Sequence, residues 1–279
     1  MSTPEQEATR AKWGRMAANW ERMRPRLVDV FEPCVDWLVE HLDATPGETI
    51  LELACGTGDI GFRVAPRVQP GGRVISSDFA PEMVEAARRF AADLSLDNVE
   101  PRVLDAMAID LPDDSVDGVL CRWGYMLLPD PAAGFAETRR VLRPGGRVAL
   151  ATWAPLEKNR IVVMGASVAG RLGLTERIDP HVPGGMFSIP TGEAMISSLR
   201  AAGFTSWEIE EVECPWPLAS FEDAWDWYTT MNSAVAEGIP DWSDDQVAAF
   251  DRALREALEP YRSGDGYDGS AVTLNAVAS

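Results

Sequence analysis

The chain has 279 residues, long enough to bury a full core, and carries a formal net charge of −19 with a sequence pI near 4.5. That charge repels phosphodiester backbones and anionic lipid, so nucleic acid is disfavoured as a partner. The opening "MSTPEQEATRAKW" lacks the charged-then-apolar order of a secretory signal and no later run is apolar for long enough to cross a bilayer, so a cytoplasmic protein without a membrane span is expected.

The first patterned segment, "AKWGRMAANWERM", sets Trp13, Met16, Ala17 and Trp20 at i, i+3, i+4 and i+7, one stripe of a helix. A surface helix carrying His41 precedes the first strand, "TILELA". From Thr49 onward strands and helices alternate: a helix over 61–68, the strand "GRVISSD", the helix "PEMVEAARRFAADL" with Pro81 in its first turn, then "VEPRVLDA" and "VDGVLCRW", the helix "AAGFAETRRVL", the turn "RPGG" and the strand "RVALATW". Such alternation means crossover units and a parallel sheet covered on both faces, a doubly wound α/β core.

After Trp153 the alternation stops. A loop containing "DPHVPGGMFSIP" leads to the helix "GEAMISSLRAAGF" and then to "TSWEIEEVECPW". There Trp207 and Ile209 share one phase while Val212, Cys214 and Trp216 fall in the other, which predicts a bulge or a strand end at Glu210-Glu211. Two helical segments follow, around "FEDAWDWYTTMNSAV" and "DDQVAAFDRALREALEPY", and "SAVTLNAVA" closes the chain as a strand with Val272, Leu274 and Ala276 on one face.

"ILELACGTGDIG" reads Gly56-Thr57-Gly58-Asp59-Ile60-Gly61, a G-x-G-x-x-G. Backbone N–H groups at a strand-to-helix glycine turn meet many ligands, so the neighbours decide what binds. A dinucleotide would set a pyrophosphate dianion against Glu52 at the strand's end and Asp59 in the loop, at a Coulombic cost. Those carboxylates suit a ligand bearing positive charge, and S-adenosylmethionine (SAM) is one: a sulfonium and an ammonium beside a single carboxylate. Asp78, 20 residues beyond Gly58 at the end of the second strand, can accept from both ribose hydroxyls, a feature common to SAM and NAD sites.

"LELACGTG" resembles the first motif of the class I SAM-dependent methyltransferases, acidic-x-G-x-G-x-G, with Ala54 in place of the first glycine as in the ubiquinone/menaquinone biosynthesis branch (the type 11 methyltransferases). "SDFAPEMVEAAR" is similar to the family's D-x-S-x-x-M-x-x-x-A, with Ala80 in place of the serine that would cap the helix. "VLDAMAIDLPDDSVDGVL", "CRWGYMLLPDP" and "AETRRVLRPGGRVAL" resemble the segments that follow in order. The resemblance covers about 13–153. It implies that Ala54, Cys55, Gly56, Thr57 and Gly58 form the loop against the methionine part, that Glu52 orders this loop, and that Asp78 takes the ribose. Phe79 and Met83 would touch adenine, Asp105 would accept from its amino group beside Ala106 and Met107, and Cys121 and Arg122 would supply backbone and charge contacts to the methionine part. It also makes the N-terminal helix a lid, with Trp13 and Trp20 over the cofactor.

The implied fold class is α/β, a Rossmann-like doubly wound, seven-stranded, mostly parallel sheet with a helical cap. Its parts are an N-terminal lid (1–45), a SAM-binding core (46–153), a cap insertion (154–192), core again (193–216), a helical cap insertion (217–269) and the final strand (270–279). The implied activity is methyl transfer from SAM, leaving S-adenosylhomocysteine, to a small-molecule acceptor, flat or apolar and quinone-like or a natural product.

Displacement at an activated methyl needs alignment above all, and no metal. A base is needed only where the acceptor must lose a proton, and the candidates are His181 in the cap loop and Tyr125. In the cap, Phe221, Trp225, Tyr228 and Met231 or Asn232 share a helical face near Trp216, Trp227 and Trp242. An acceptor pocket, the cap's own core and a homodimer contact would each use such a face. Cys34, Cys55, Cys121 and Cys214 show no metal-ligand spacing and read as buried small hydrophobes, which makes arsenite a poor acceptor. The alternatives are an NAD(P)-dependent oxidoreductase, which has no use for Asp105 or the Glu52 side chain, and a non-catalytic binding protein on the same fold.

Overall fold

A computed structural model of the chain describes residues 4–177 and 179–279. The sheet runs β3-β2-β1-β4-β5-β8-β6, where β1 is Thr49–Leu53, β2 Arg73–Asp78, β3 Val99–Val103, β4 Val116–Arg122, β5 Leu142–Trp153, β6 Trp207–Leu218 and β8 Gly266–Ala278. β1 to β5 pair in parallel; β8 is antiparallel to both β5 and β6. An eighth, two-residue strand β7 (Arg262–Ser263) folds back on β8 across a tight turn in which Gly264 takes a φ of 58°. The order reverses between β1 and β4, which opens a crevice at their carboxyl ends.

The helices are α1 (Pro4–Leu42), α2 (Ile60–Val64), α3 (Pro81–Asp93), α4 (Pro131–Val141), α5 (Met164–Arg171), α6 (Gly192–Ala201), α7 (Phe221–Met231), α8 (Ser233–Gly238) and α9 (Asp244–Leu258). α1 merges the segment bearing Trp13 and the segment bearing His41 into one helix of 39 residues that contains Pro25 and Pro33. Each proline removes one intrahelical donor, and tertiary packing offsets that loss: Leu27, Val30, Phe31, Cys34, Val35, Leu38 and Leu42 are all buried on the sheet. The helix ends where the Arg147 guanidinium donates to the Leu42 and Asp43 carbonyls.

The phase switch in β6 is real, but the bulge expected at Glu210-Glu211 is not there. β6 and β8 keep an unbroken register from Trp207↔Ala278 to Leu218↔Tyr267. Trp207 and Ile209 pack toward the α4/α6 side of the sheet, Val212, Cys214 and Trp216 toward the α1 side, so one regular edge strand buries opposite faces at its two ends. The "RPGG" turn lies inside β5, where pairing with β4 jumps from Val116↔Leu142 to Gly118↔Arg147. The cap aromatics extend the core on the α1 side of the sheet: Phe250, Tyr228 and Trp227 are buried in it, and Trp225 and Trp242 both meet Phe250 edge-on.

Candidate active site

The loop after β1 turns sharply because its backbone lies in the left-handed region at Ala54 (φ 52°), Gly56 (φ 56°) and Gly58 (φ 80°). A Cβ on Gly58 would stand 2.4 Å from the Phe62 ring, so glycine is required there on both counts. Ala54 keeps a Cβ in a conformation that costs about 1–2 kcal/mol.

Two acids brace the loop from beneath. Glu52, 2% exposed, accepts from the Gly61 N–H at 3.0 Å and the Ser76 hydroxyl at 2.7 Å. Burial pushes its carboxyl up to about 7 against those two hydrogen bonds, with Asp59 adding to the rise and Arg122 opposing it. Its side chain therefore works inward, on the loop. Asp78 accepts from Gly56 N–H and Ala80 N–H, each at 2.9 Å; desolvation raises its carboxyl in spite of these donors. Each Asp78 oxygen keeps a lone pair for a further donor.

Asp59 pairs with Arg122 at 3.0 Å across the crevice, the side chains 14% and 10% exposed. Arg122 ends β4 and is held over the Trp123 ring at 4.6 Å. Cys121 turns into the core, where burial pushes its thiol up to about 12, so only its backbone is available. Burial likewise raises Cys55 well above the ordinary thiol range, with the Glu52 and Asp78 charges adding to the rise.

α1 runs over this crevice. Met16 and Ala17 pack with Ala80 and Met83, flanked by Trp13 and Trp20, whose rings meet edge-on at 6.2 Å. The Gln6 amide donates to Asp105 Oδ2 at 3.4 Å, the Arg10 guanidinium lies 4.2 Å over the Phe79 ring, and Arg24 donates to the Thr57 carbonyl. Asp105 also accepts from Met107 N–H at 2.9 Å, with half-buried Ala106 between them. One helix face thus touches the glycine loop, Phe79, Met83 and Asp105. On its other side α1 is tied to the cap by Arg15–Glu237, Arg22–Asp226 and Arg26–Asp223.

The two expected bases fare differently. Tyr125 is turned away from the crevice: it is 1% exposed, its ring stacks on Phe135 at 4.2 Å, its hydroxyl bonds Thr138 at 2.6 Å, and burial holds its proton well above the ordinary phenol range. The chain turns it into the core through the left-handed Trp123, Gly124 and the 3-10 turn Tyr125–Leu127 that follow β4. His181 is exposed, 6.1 Å from Phe187, in a loop anchored where Ser188 Oγ donates to the Met126 carbonyl at 2.7 Å. His41 stacks on Trp37 at 3.8 Å, far along α1 from the loop.

Sequence reasoning passed over Gln6, Arg10 and Arg24, although they continue the Trp13–Ala17–Trp20 stripe at helical spacing and could have been read from it. It also passed over Trp123, whose φ of 60° no pattern reveals.

Among the described residues, the buried side-chain polar atoms without a hydrogen-bond partner are Arg10 Nε, Trp20 Nε1, Arg24 Nε, Arg122 Nη1, Trp123 Nε1 and Trp216 Nε1. Every one is a donor, and all but Trp216 lie on the crevice face of α1 or at the end of β4. A ligand rich in acceptors that also carries positive charge for Asp59 fits this lining, and SAM has both: a carboxylate, ribose oxygens and ring nitrogens, beside an ammonium and a sulfonium.

A methyltransferase-domain family model matches residues 50–146. The chain is 31% identical over 210 residues to the nocamycin O-methyltransferase of Saccharothrix syringae, covering 72% of this chain and 75% of that protein. It is 32% identical over 170 residues to the demethylmenaquinone methyltransferase of Thermus thermophilus, covering 56% of this chain and 74% of that one. Among solved structures, a putative methyltransferase from Bacillus halodurans superposes with a TM-score of 0.60 at 19% identity, over 88% of this chain and 97% of the other, a likeness of fold alone. The glycine loop, its two bracing acids and these relatives agree: the chain belongs to the class I SAM-dependent methyltransferases.

Proposed function

We propose that the crevice between α1 and the carboxyl ends of β1 to β4 holds SAM, and that the enzyme methylates a small ring-bearing organic acceptor. The observation that carries the reading is the lining itself, acidic at Asp59, Asp78 and Asp105 and otherwise supplied with unpaired N–H donors. When bound, the cofactor supplies a methyl group already activated on a cationic sulfur. The chain's own residues then bind and orient.

The free lone pairs of Asp78 face a ribose diol, and Phe79 and Met83 form a platform for adenine. The Gln6 amide on Asp105 Oδ2 supports an amino-group seat there, because an amide NH2 and the adenine NH2 are the same kind of donor. Arg122 and Asp59, with the backbone of Ala54, Cys55, Gly56, Thr57, Gly58 and Cys121, serve the amino-acid end. The lid of 1–45 acts through the crevice face of α1, from Gln6 to Arg24 with Trp13 and Trp20, while the half from Leu27 to Leu42 packs on the sheet. The parts 46–153, 193–216 and 270–279 serve as core and 154–192 and 217–269 as cap.

Nocamycin-type compounds and demethylmenaquinone, after the names of two relatives, are the acceptors to try first. His181 is retained as the base for an acceptor that must lose a proton; Tyr125 is not. Phe221, Trp227 and Tyr228 are buried within one chain, so a homodimer contact is left to the partly buried Trp225 and Trp242. Four buried thiols suit a reducing, cytoplasmic setting and offer arsenite no thiolate.

The test is incubation with SAM and a panel of nocamycin-type, quinone-like and other flat natural-product acceptors, read by mass spectrometry for transfer of a labelled methyl group. Turnover of one of them is expected. SAM binding without turnover on the whole panel would favour the non-catalytic reading, and NAD(P)-linked oxidation would overturn both.

A further inference from the structure

Besides its crevice face, α1 carries a polar stripe turned toward the cap. Arg15, Asn19, Arg22 and Arg26 stand at i, i+4, i+7 and i+11, one face of the helix, and each meets α7 or α8. The Arg15 guanidinium donates to Glu237 Oε1 from Nε at 2.9 Å and from Nη2 at 2.7 Å. The Asn19 amide donates at 3.0 Å to the Thr230 carbonyl, one of the groups that the last turn of α7 leaves without a helical donor. Arg22 Nη1 reaches both Asp226 oxygens at 3.1 Å, and its Nη2 donates to Thr230 Oγ1. Arg26 pairs with Asp223. All of these partners belong to the cap, so the strength of the contacts does not depend on a ligand in the crevice.

The first half of α1 is held more loosely than the second. The first α1 residue buried in the main core is Met23; before it, Met16 and Ala17 pack with Ala80 and Met83 in a small separate cluster, and Glu21 pairs with Arg89 of α3 at 2.9 Å. At the junction stands Pro25, which offers no N–H to the Glu21 carbonyl and so removes one rung of the helix there. Arg24, one residue before it, donates to the Thr57 carbonyl, so bending at this point also moves a contact of the glycine loop. Few buried apolar contacts, exposed ion pairs and a missing helical bond are the marks of a segment that opens locally. The Arg15 and Glu237 side chains are 58% and 41% exposed, those of Arg22 and Asp226 53% and 49%, so each pair is weak and screened by salt.

We propose that Arg15, Asn19 and Arg22 form a latch on α7 and α8 that sets how often the first half of α1 lifts from the crevice, hinging at Pro25, and so sets the rate at which the cofactor enters and leaves. The proposal rests on the methyltransferase reading. It carries a kinetic signature. The latch lies on the helix face away from the ligand, so weakening it raises the open fraction by the same factor with the crevice filled or empty. Association and dissociation then quicken together, and their ratio, the Kd, stays where it was. A contact made to the ligand itself would change dissociation alone.

The test uses the full chain and radiolabelled S-adenosylhomocysteine, association being followed by rapid filtration and dissociation by a chase of unlabelled compound. Wild type is compared with Arg15→Glu, Glu237→Arg and the double exchange, all at exposed positions where the fold tolerates a charge. Each single reversal sets two like charges face to face and is expected to raise both rates by about threefold to tenfold, with Kd within about twofold of wild type. The double exchange rebuilds the pair and is expected to return both rates to within about twofold of wild type. Pro25→Ala restores the missing N–H and is expected to slow both rates severalfold. Unchanged rates in the single reversals, a rise in dissociation alone, no recovery in the double exchange, or wild-type rates in Pro25→Ala would each overturn the proposal. Failure of wild type to bind S-adenosylhomocysteine would instead sink the methyltransferase reading, and this proposal with it.

Discussion

Replacing Glu52 by glutamine should make the enzyme more stable at alkaline pH. The carboxyl lies 2% exposed under the glycine loop, and its titration is displaced from an ordinary 4.5 to about 7, chiefly by burial. A group whose folded-state value is raised contributes stability that is complete below the unfolded value and disappears as pH climbs through the folded one, because the unfolded chain releases its proton first. Between pH 4.5 and about 7 that loss amounts to about 3 kcal/mol, at about 1.4 kcal/mol per pH unit. Glutamine reproduces the protonated acid: its carbonyl accepts from Gly61 N–H and its amide donates to Ser76 Oγ, the same two partners Glu52 has. Urea midpoints for wild type and Glu52→Gln across pH 5 to 8 report the difference, in which titrations elsewhere largely cancel. The wild-type advantage should shrink as pH rises and reverse by pH 8. A difference that stays flat, or grows with pH, would refute both the buried-acid assignment and the claim that Glu52 serves the loop rather than the ligand.

The left-handed Ala54 should tolerate glycine but not a branched side chain: Ala54→Gly is expected to change stability by less than about 1 kcal/mol, strain relief offsetting chain entropy, while Ala54→Val costs about 2 kcal/mol or more by thermal melting. Tyr125→Phe should leave kcat within about twofold and lower stability by about 1 kcal/mol, the worth of the bond to Thr138; a large fall in kcat with stability intact would restore Tyr125 as a base. Asp78→Asn turns an NH2 toward the Gly56 N–H or toward Ala80, so S-adenosylhomocysteine affinity should fall by about tenfold or more in a direct titration, and an unchanged affinity would remove Asp78 from the cofactor site.

The core was legible because a parallel sheet writes itself as apolar runs separated by helices, and "ILELACGTGDIG" marks where the sheet reverses. The acidic character of the loop was legible in Glu52 and Asp59, but their contacts were not: Glu52 turns inward onto Gly61 and Ser76, and Asp59 pairs with Arg122. What stayed hidden depends on tertiary geometry. The phase switch in β6 looked like a bulge because one strand facing two different cores gives the same alternation as a strand with an inserted residue. Pro25 and Pro33 stand inside α1, and the packing of the helix on the sheet outweighs the donors they remove. Tyr125 followed a strand end that reads as a site, and the left-handed Trp123, Gly124 and the 3-10 turn swung it into the core. No spacing announces the left-handed Trp123 or a guanidinium with one nitrogen unengaged.

The central claim is that an acidic, donor-lined glycine crevice selects a cationic sulfur nucleoside over a dinucleotide. Titration calorimetry of the purified chain with SAM, S-adenosylhomocysteine and NADH tests it most directly. Saturable one-to-one binding of both sulfur compounds, SAM no weaker than its demethylated product, and no detectable heat from NADH is the expected result. Tight NADH binding with neither sulfur compound bound would contradict it.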